Sequence, residues 1–149
     1  MITVADVMTR QPATLPRDAT VAQAAQLMDE LNVGAVPVCD EHDHVLGIVT
    51  DRDITVRAIA AGLSPAGTPV EQVMSERVRC CSERQPVDDV LALMAAVQIR
   101  RLPVLDEAQR LVGMLSLGDL AVRDQEAAVG VLRRISTPSQ PDRSGYAAH

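Results

Sequence analysis

The sequence predicts an α/β chain, α+β in detail, in which a small unit with a mainly three-stranded sheet and flanking helices is built twice and packed as one module. Three observations predict it. The second half repeats the first at a constant offset of 66 positions, so that Met8 answers to Met74, Val21 to Val87, Met28 to Met94, Pro37 to Pro103, Asp40 to Asp106, Gly47 to Gly113 and Asp53 to Asp119, with no gap. Within each half the apolar spacing changes between helical and strand periods in the order helix, strand, helix, strand, strand, helix. Each half is too small to bury its sheet alone, so the two halves pack together. The repeats run over 1–63 and 68–123, with a linker at 64–67 and a C-terminal helix and tail at 124–149.

Thr3 and Asp6 have the spacing of a capping box and predict a short helix over Val4 to Met8. Ala13 to Leu15, ahead of Pro16, is extended. Thr20 caps a helix carrying Val21, Ala24, Ala25, Leu27, Met28 and Leu31 at helical spacing, and Gly34 ends it. Ala35 to Cys39 is a strand in which Pro37 argues for an edge or a break in pairing. The polar run Asp40 to His44 is a turn, and Val45 to Thr50 completes a hairpin. A helix from Asp51 to Ala61, apolar at Ile54, Ala58 and Ile59, stops at Gly62.

Ser64 to Gly67 is a loop, and Thr68-Pro69-Val70-Glu71 opens the second repeat as another capping box. Its helix from Pro86 to Val97 is apolar at Val87, Val90, Leu91, Leu93, Met94 and Val97, wider than one buried stripe needs; a second copy of the module is the economical partner for the extra face. Asp124 to Ile135 forms one more helix, apolar at Ala127, Ala128, Val131, Leu132 and Ile135, and a disordered tail follows from Thr137.

Composition narrows the function. The 149 residues hold no Phe or Trp and a single tyrosine, Tyr146, so the core is aliphatic and no aromatic platform exists for stacking a base. All 14 basic residues are arginine and 20 acids outnumber them, for a net charge of −6, which disfavours nucleic acid as a partner. The first residues lack the pattern of a signal peptide and no apolar run is long enough to span a bilayer, so a soluble, cytoplasmic protein is expected. Cys39, Cys80 and Cys81 lack metal-site spacing and read as small buried hydrophobes. The His42–His44 cluster with Asp40 and Asp43 reads as a solvated turn, with no metal site. No Ser, Cys or His has a visible base and orienting partner, so no enzyme is expected.

One phrase carries most of the chemistry. Gly47-Ile-Val-Thr50-Asp-Arg-Asp53 and Gly113-Met-Leu-Ser116-Leu-Gly-Asp119 each run from a glycine through an apolar strand to a hydroxyl, with an aspartate three residues on. A hydroxyl at a helix start, among unpaired N–H groups, suits an anion. A carboxylate in the first turn can accept from two adjacent hydroxyls such as those of a ribose. The plainer alternative is that these acids only offset the helix dipole. The repetition of the spacing favours the ligand.

From Val4 to Val122 the chain resembles the cystathionine-β-synthase (CBS) domains, which occur as tandem pairs forming a pseudo-twofold Bateman module. The duplication, the Val36-Pro37-Val38 and Leu102-Pro103-Val104 strands and both Gly-x-x-Thr/Ser-x-x-Asp endings carry the resemblance. Val49 to Ile54, Ala60 to Leu63 and Arg100 to Val104 look most like stand-alone bacterial CBS pairs. The resemblance implies two clefts for an adenine nucleotide (AMP, ADP or ATP) or a related adenosyl ligand such as S-adenosylmethionine, and no further cofactor.

Carried onto this chain, it gives Asp53 and Asp119 to the ribose, and Thr50, Ser116, Arg100 and Arg101 to phosphate. Thr14, Leu15, Pro16, Val33, Val36 and Pro37 surround the base in one cleft. Cys80, Cys81, Ser82, Ile99, Leu102 and Pro103 do so in the other. The first repeat has Gly34 and Ala35 where the second has the two arginines, so the clefts are unequal. Such a module implies a homodimer through its helices and an unidentified regulated protein. The alternative function is a structural or interaction protein with vestigial clefts, acting as a dimer on an unknown partner in a stress response.

Overall fold

The computed structural model describes residues 1–123 and 125–136. The chain forms two compact units, one of Ala13–Val78 and one of Met1–Pro12 with the chain from Arg79 onward. These boundaries differ from the repeat boundaries 1–63 and 68–123. The opening segment of each repeat folds with the sheet of the other repeat, and the 64–67 loop lies inside the first unit rather than between two. Hydrogen bonding gives the physical reason.

In the unit 13–78, α2 (Val21–Leu31) starts with a complete capping box between Thr20 and Gln23. Two of its remaining free N–H groups are satisfied from the loop beyond, where Val21 N–H donates to Thr68 C=O (2.9 Å) and Ala22 N–H to Pro65 C=O (2.9 Å). Thr68 therefore does not cap a helix of its own; Val70–Gln72 is a single 3-10 turn with no side-chain cap, and it drives Val70 and Val73 fully into this unit's core. The other unit repeats the device. Val87 N–H donates to Ile2 C=O (3.0 Å), and Val4 and Ala5 N–H donate to Gln85 and Glu83 C=O. The short helix α1 (Val4–Val7) with its Thr3–Asp6 capping box is thereby bound to the second repeat.

Strands β2 (Ala35–Cys39) and β3 (Val45–Thr50) form the predicted hairpin, with a bulge at Val38/Cys39. Leu15 adds a parallel bridge to Val38 and Ser75 an antiparallel bridge to Ile48. Pro37 C=O accepts from Leu15 N–H (3.0 Å), and N–H and C=O of one strand residue point the same way, so the donor that Pro37 lacks faces away from β3. In the other unit β1 (Thr9–Arg10), β4 (Cys81–Ser82), β5 (Arg101–Leu105) and β6 (Leu111–Ser116) pair in the order β1-β6-β5-β4. Thr9 lies opposite Met114, the counterpart of the Ser75 bridge, and Cys81 opposite Val104, the counterpart of the Leu15 bridge. The expected three strands thus gain a fourth partner, the crossing segment.

Both hairpin turns are organised by an aspartate. Asp40 Oδ1 accepts from the N–H groups of His42 (2.8 Å) and His44 (2.9 Å), and Asp106 Oδ1 from Arg110 N–H (3.0 Å). These bonds hold both carboxyls below their ordinary range, led by His44 N–H at Asp40 and Arg110 N–H at Asp106.

Three helix expectations are corrected. α2 ends at Asn32 in the left-handed conformation (φ 53°), two residues before Gly34, because Asn tolerates that region. The helix after β3 is α-helical only over α3 (Asp51–Asp53) and continues as a π-helix over Ile54–Ile59, which shifts the facing so that Ile59 is 56 % exposed rather than buried with Ala58. Gly62 (φ 74°) closes it. In the other unit, the wide apolar face of α4 (Val87–Val97) packs against α6 (Gln125–Ser136), which also packs on α5 (Leu117–Arg123). Ile135 reaches the core and Gln98 Nε2 donates to Arg134 C=O (3.5 Å), so the chain itself supplies the cover that a second copy was expected to give. Leu132 points outward, against expectation. Asp124 and the tail from Thr137 lie outside the described residues, as do the side chains of Ala127, Ala128 and Val131.

Candidate functional site

Each set of candidate residues falls inside one unit, the first set within 13–78 and the second within the other. β3 delivers Thr50 to the start of α3, opposite Ala35, and β6 delivers Ser116 to the start of α5, opposite Arg101. The turn into each helix is closed by a backbone bond, Asp51 N–H to Gly34 C=O (3.0 Å) in one unit and Leu117 N–H to Arg100 C=O (3.0 Å) in the other.

Both aspartates first serve their own helix start. Asp53 Oδ2 accepts from Thr50 N–H (3.0 Å) while Asp53 N–H donates to Thr50 Oγ1 (3.0 Å). Asp119 Oδ2 accepts from Ser116 N–H (2.9 Å) and Ser116 Oγ (3.0 Å), and Asp119 N–H donates back to Ser116 Oγ (3.2 Å). The plainer reading of these acids, as helix-start residues, is therefore true of both.

The second carboxylate oxygen is engaged differently in each unit. Asp53 Oδ1 lies 3.8 Å from Arg57 Nε, one π-helical turn on, and Arg57 Nη1 donates to the carbonyls of Val73 (3.4 Å) and Met74 (3.2 Å). Asp119 Oδ1 accepts from Thr9 Oγ1 (3.1 Å). Thr9 and Arg57 each have a like residue at the repeat offset, Ser75 and Arg123, but no spacing ties them to the aspartates, because Thr9 is 110 positions from Asp119 and Arg57 reaches its carbonyls across a turn whose π geometry the pattern does not show. Asp53 is only 7 % exposed, whereas Asp119 is half-buried.

The base-flanking residues divide. Val36 (1 % exposed) and Leu102 (0 %) belong to the two aliphatic cores, together with Leu15 and Cys81, so their side chains do not wall a cleft. Strand alternation turns the neighbouring prolines, Pro37 and Pro103, to the opposite face, where they too are buried. Thr14, Pro16 and Val33 are exposed; Cys80, Ser82 and Ile99 are half-buried. An open cavity of about 550 Å³ includes Thr14, Leu15 and Pro16, but its far wall is Gln23, Gln26, Leu27 and Glu30 of α2, and none of Val33, Val36, Pro37, Thr50 or Asp53 lines it. Those α2 residues repeat at i, i+3, i+4 and i+7, the signal by which sequence could have found them.

Arg100 is exposed and Arg101 half-buried, and among the described residues neither guanidinium has a hydrogen-bond or ion-pair partner. Arg101 stands across the ladder from Ser116, a cation beside a hydroxyl with no acid of the Asp51 kind between, since Leu117 takes that place. The unit 13–78 has Ala35 there and Asp51 at the helix start.

Burial, and then the neighbouring Cys80, push the Cys81 thiol up to about 12; burial also raises Cys80. At pH 8 about one Cys81 in ten thousand is then thiolate, the reactive form. Iodoacetamide is expected to leave Cys81 unmodified in the folded protein while labelling it fully in urea. Rapid labelling of the native chain would contradict the buried-hydrophobe reading.

Residues 4–58 and 70–126 match the CBS domain family. The chain is 44 % identical over 138 residues to the CBS domain-containing protein YhcV of Bacillus subtilis (strain 168), covering 91 % of this chain and 96 % of that one. It is 32 % identical over 139 residues to hypoxic response protein 1 of Mycobacterium tuberculosis (strain H37Rv), with 93 % and 96 % covered. A crystal structure of Hypoxic Response Protein I with two coordinated zinc ions superposes with a TM-score of 0.76 at 32 % identity, over 83 % of this chain and 99 % of that one. Among the described residues here, no three His, Cys, Asp or Glu side chains are grouped so as to hold a metal ion. The CBS pair of protein MJ0100 in complex with methylthioadenosine and S-adenosylmethionine gives 0.72 at 29 % identity, over 82 % and 94 %. CBSX2 in complex with AMP gives 0.73 at 25 %, over 88 % and 98 %.

Proposed function

Because the chain belongs to the CBS-domain family as a tandem pair, we propose that it is a regulatory module, not an enzyme, that senses AMP, ADP, ATP or a related adenosyl ligand. The observation that carries this reading is the repeated helix start, where a buried or half-buried carboxylate and a hydroxyl stand at the end of a strand in each unit. Asp53 and Asp119 take the ribose, Thr50 and Ser116 the phosphate, with Arg101 and Arg100 adding charge in the second cleft. Pro37 and Pro103, with the backbone at Thr14–Pro16 and Cys80–Ser82, flank the base. Two relatives support the ligand class, since one neighbouring CBS pair holds methylthioadenosine and S-adenosylmethionine and another holds AMP. Titration calorimetry with AMP, ADP, ATP and S-adenosylmethionine tests it, with one or two ligands per chain expected. Silence across the panel would favour the second reading, an interaction protein in a stress response, which the Asp53–Arg57 pairing and Ala35 opposite Thr50 favour for the first cleft.

We place the protein in the cytoplasm; no helix among the described residues is long and apolar enough to cross a membrane. A homodimer is proposed through the unit 13–78. There Leu31 (48 % exposed) and Val33 (40 %) stay open, whereas their counterparts Val97 and Ile99 are half-buried in the unit where α6 packs on α4. Leu31→Asp is expected to convert a dimer to a monomer in sedimentation analysis. A wild-type monomer at micromolar concentration would refute the proposal.

A further inference from the structure

We propose that Thr9 and Arg57 are positioning residues that tie each ligand-binding carboxylate to the segment carrying the chain from one unit to the other, so that an occupied cleft is felt in that segment. The inference rests on the ligand reading above and adds the route by which binding is reported.

Acceptor capacity is the first step. A carboxylate oxygen accepts about two hydrogen bonds. Asp119 Oδ2 already takes two, from Ser116 N–H and Ser116 Oγ, and Oδ1 takes one from Thr9 Oγ1. Two adjacent ligand hydroxyls need two places, and this carboxylate has one. The second comes at lowest cost from Thr9, an exposed residue whose hydroxyl can turn to water, rather than from Ser116, whose bonds hold the helix start. Thr9 belongs to β1, which pairs with β6 through Met114 and ends two residues before the chain leaves the unit after Pro12.

The unit 13–78 reaches the same arrangement with another residue. Asp53 Oδ1, the oxygen not used by the helix start, faces the Arg57 guanidinium, whose other end holds the carbonyls of Val73 and Met74. The next residue, Ser75, is bound to Ile48 in both directions (2.9 and 3.0 Å), and the chain leaves this unit after Val78. Asp53 Oδ2 takes one bond, from Thr50 N–H, so this carboxylate has room for two hydroxyls; one that settles on Oδ1 shares that oxygen with the guanidinium 3.8 Å away and alters its hold on the two carbonyls. Thr9 and Ser75 are equivalent positions in the repeat, and in both units Oδ1 is the oxygen tied to the crossing segment. In both units the oxygen that the helix start leaves spare is the one tied to the crossing segment, and a helix cap needs only Oδ2.

Hydrogen exchange of the full chain, read by mass spectrometry with calorimetry in parallel, tests this. The probe is whichever of AMP, ADP, ATP and S-adenosylmethionine binds most tightly. Saturation is expected to change exchange in 9–11 and 73–76 by about fivefold, the factor that one exchanged hydrogen bond supplies. Thr9→Val should abolish the response in 9–11 while binding at least as tightly as wild type, and Thr9→Ser should retain it. Arg57→Gln should abolish the response in 73–76, and Arg57→Lys should restore part of it. Binding with no exchange response in either segment, or responses that persist in both Thr9→Val and Arg57→Gln, overturns the proposal and leaves the ligand reading intact. Tenfold weaker binding in Thr9→Val also overturns it, because Thr9 would then touch the ligand. Silence in calorimetry fails the ligand reading, and this proposal with it.

Discussion

Asp119→Ala is expected to weaken adenine-nucleotide binding in its cleft by about tenfold to a hundredfold, and Asp53→Ala to do the same in the other. A hydrogen bond to a charged acceptor contributes roughly 1.5–3 kcal/mol, and 1.4 kcal/mol is a factor of about ten. The alanine variants also lose the bonds from Ser116 N–H or Thr50 N–H to Oδ2, so some destabilisation comes with them, about 0.5–2 kcal/mol for a lost cap. Asp119→Asn separates the two effects. Its amide oxygen still accepts from Ser116 N–H, so the fold is kept while the charge offered to a ribose is removed. Calorimetry of wild type, Asp119→Asn and Asp119→Ala should give falling affinity in that order. Equal affinity in all three would remove the ribose assignment.

Gly47→Ala or Gly113→Ala is expected to destabilise the fold by roughly 1–3 kcal/mol, the range for overpacking a closed site. A Cβ at Gly47 would meet Met74 Sδ at 2.7 Å and Ser75 O at 2.8 Å; at Gly113 it would meet Met8 Sδ at 2.5 Å and Thr9 O at 2.9 Å. The methionine can move. The carbonyl cannot, because Ser75 C=O accepts from Ile48 N–H and the crossing segment is fixed by that bond. For a chain of this length the melting temperature should fall by roughly 2–4 °C per kcal/mol. The double variant Gly47→Ala, Met74→Ala should not recover it, since the backbone contact remains. Full recovery would mean that only the side-chain clash mattered, and an unchanged melting temperature in Gly47→Ala would deny the close approach altogether.

These glycines show how far the sequence could be read. Gly47 and Gly113 were legible as the first letter of a repeated phrase, yet their reason was not, because the methionine and carbonyl they admit come from segments 27 and 105 positions away. Thr3, Thr20 and Thr50 were legible as helix starts because the capping box is local, three residues wide, and its partners are named by spacing alone. Thr68 broke that rule. Its spacing is right, but its carbonyl is taken by the first N–H of α2, a distant demand that no local pattern reports. Val36 and Leu102 show a similar limit, since they alternate correctly along their strands but only packing decides which face is the core.

The sequence by itself determined the duplication, the order of helices and strands, the family, and the two helix starts with their aspartates, all of which rest on spacing within about a dozen residues or on a constant offset. Only the tertiary structure decided that the repeats exchange their opening segments, that α6 takes the spare face of α4, and that Thr9 and Arg57 hold the second oxygen of each carboxylate. Those outcomes depend on which distant N–H, carbonyl or apolar face is left unsatisfied once the local elements have formed.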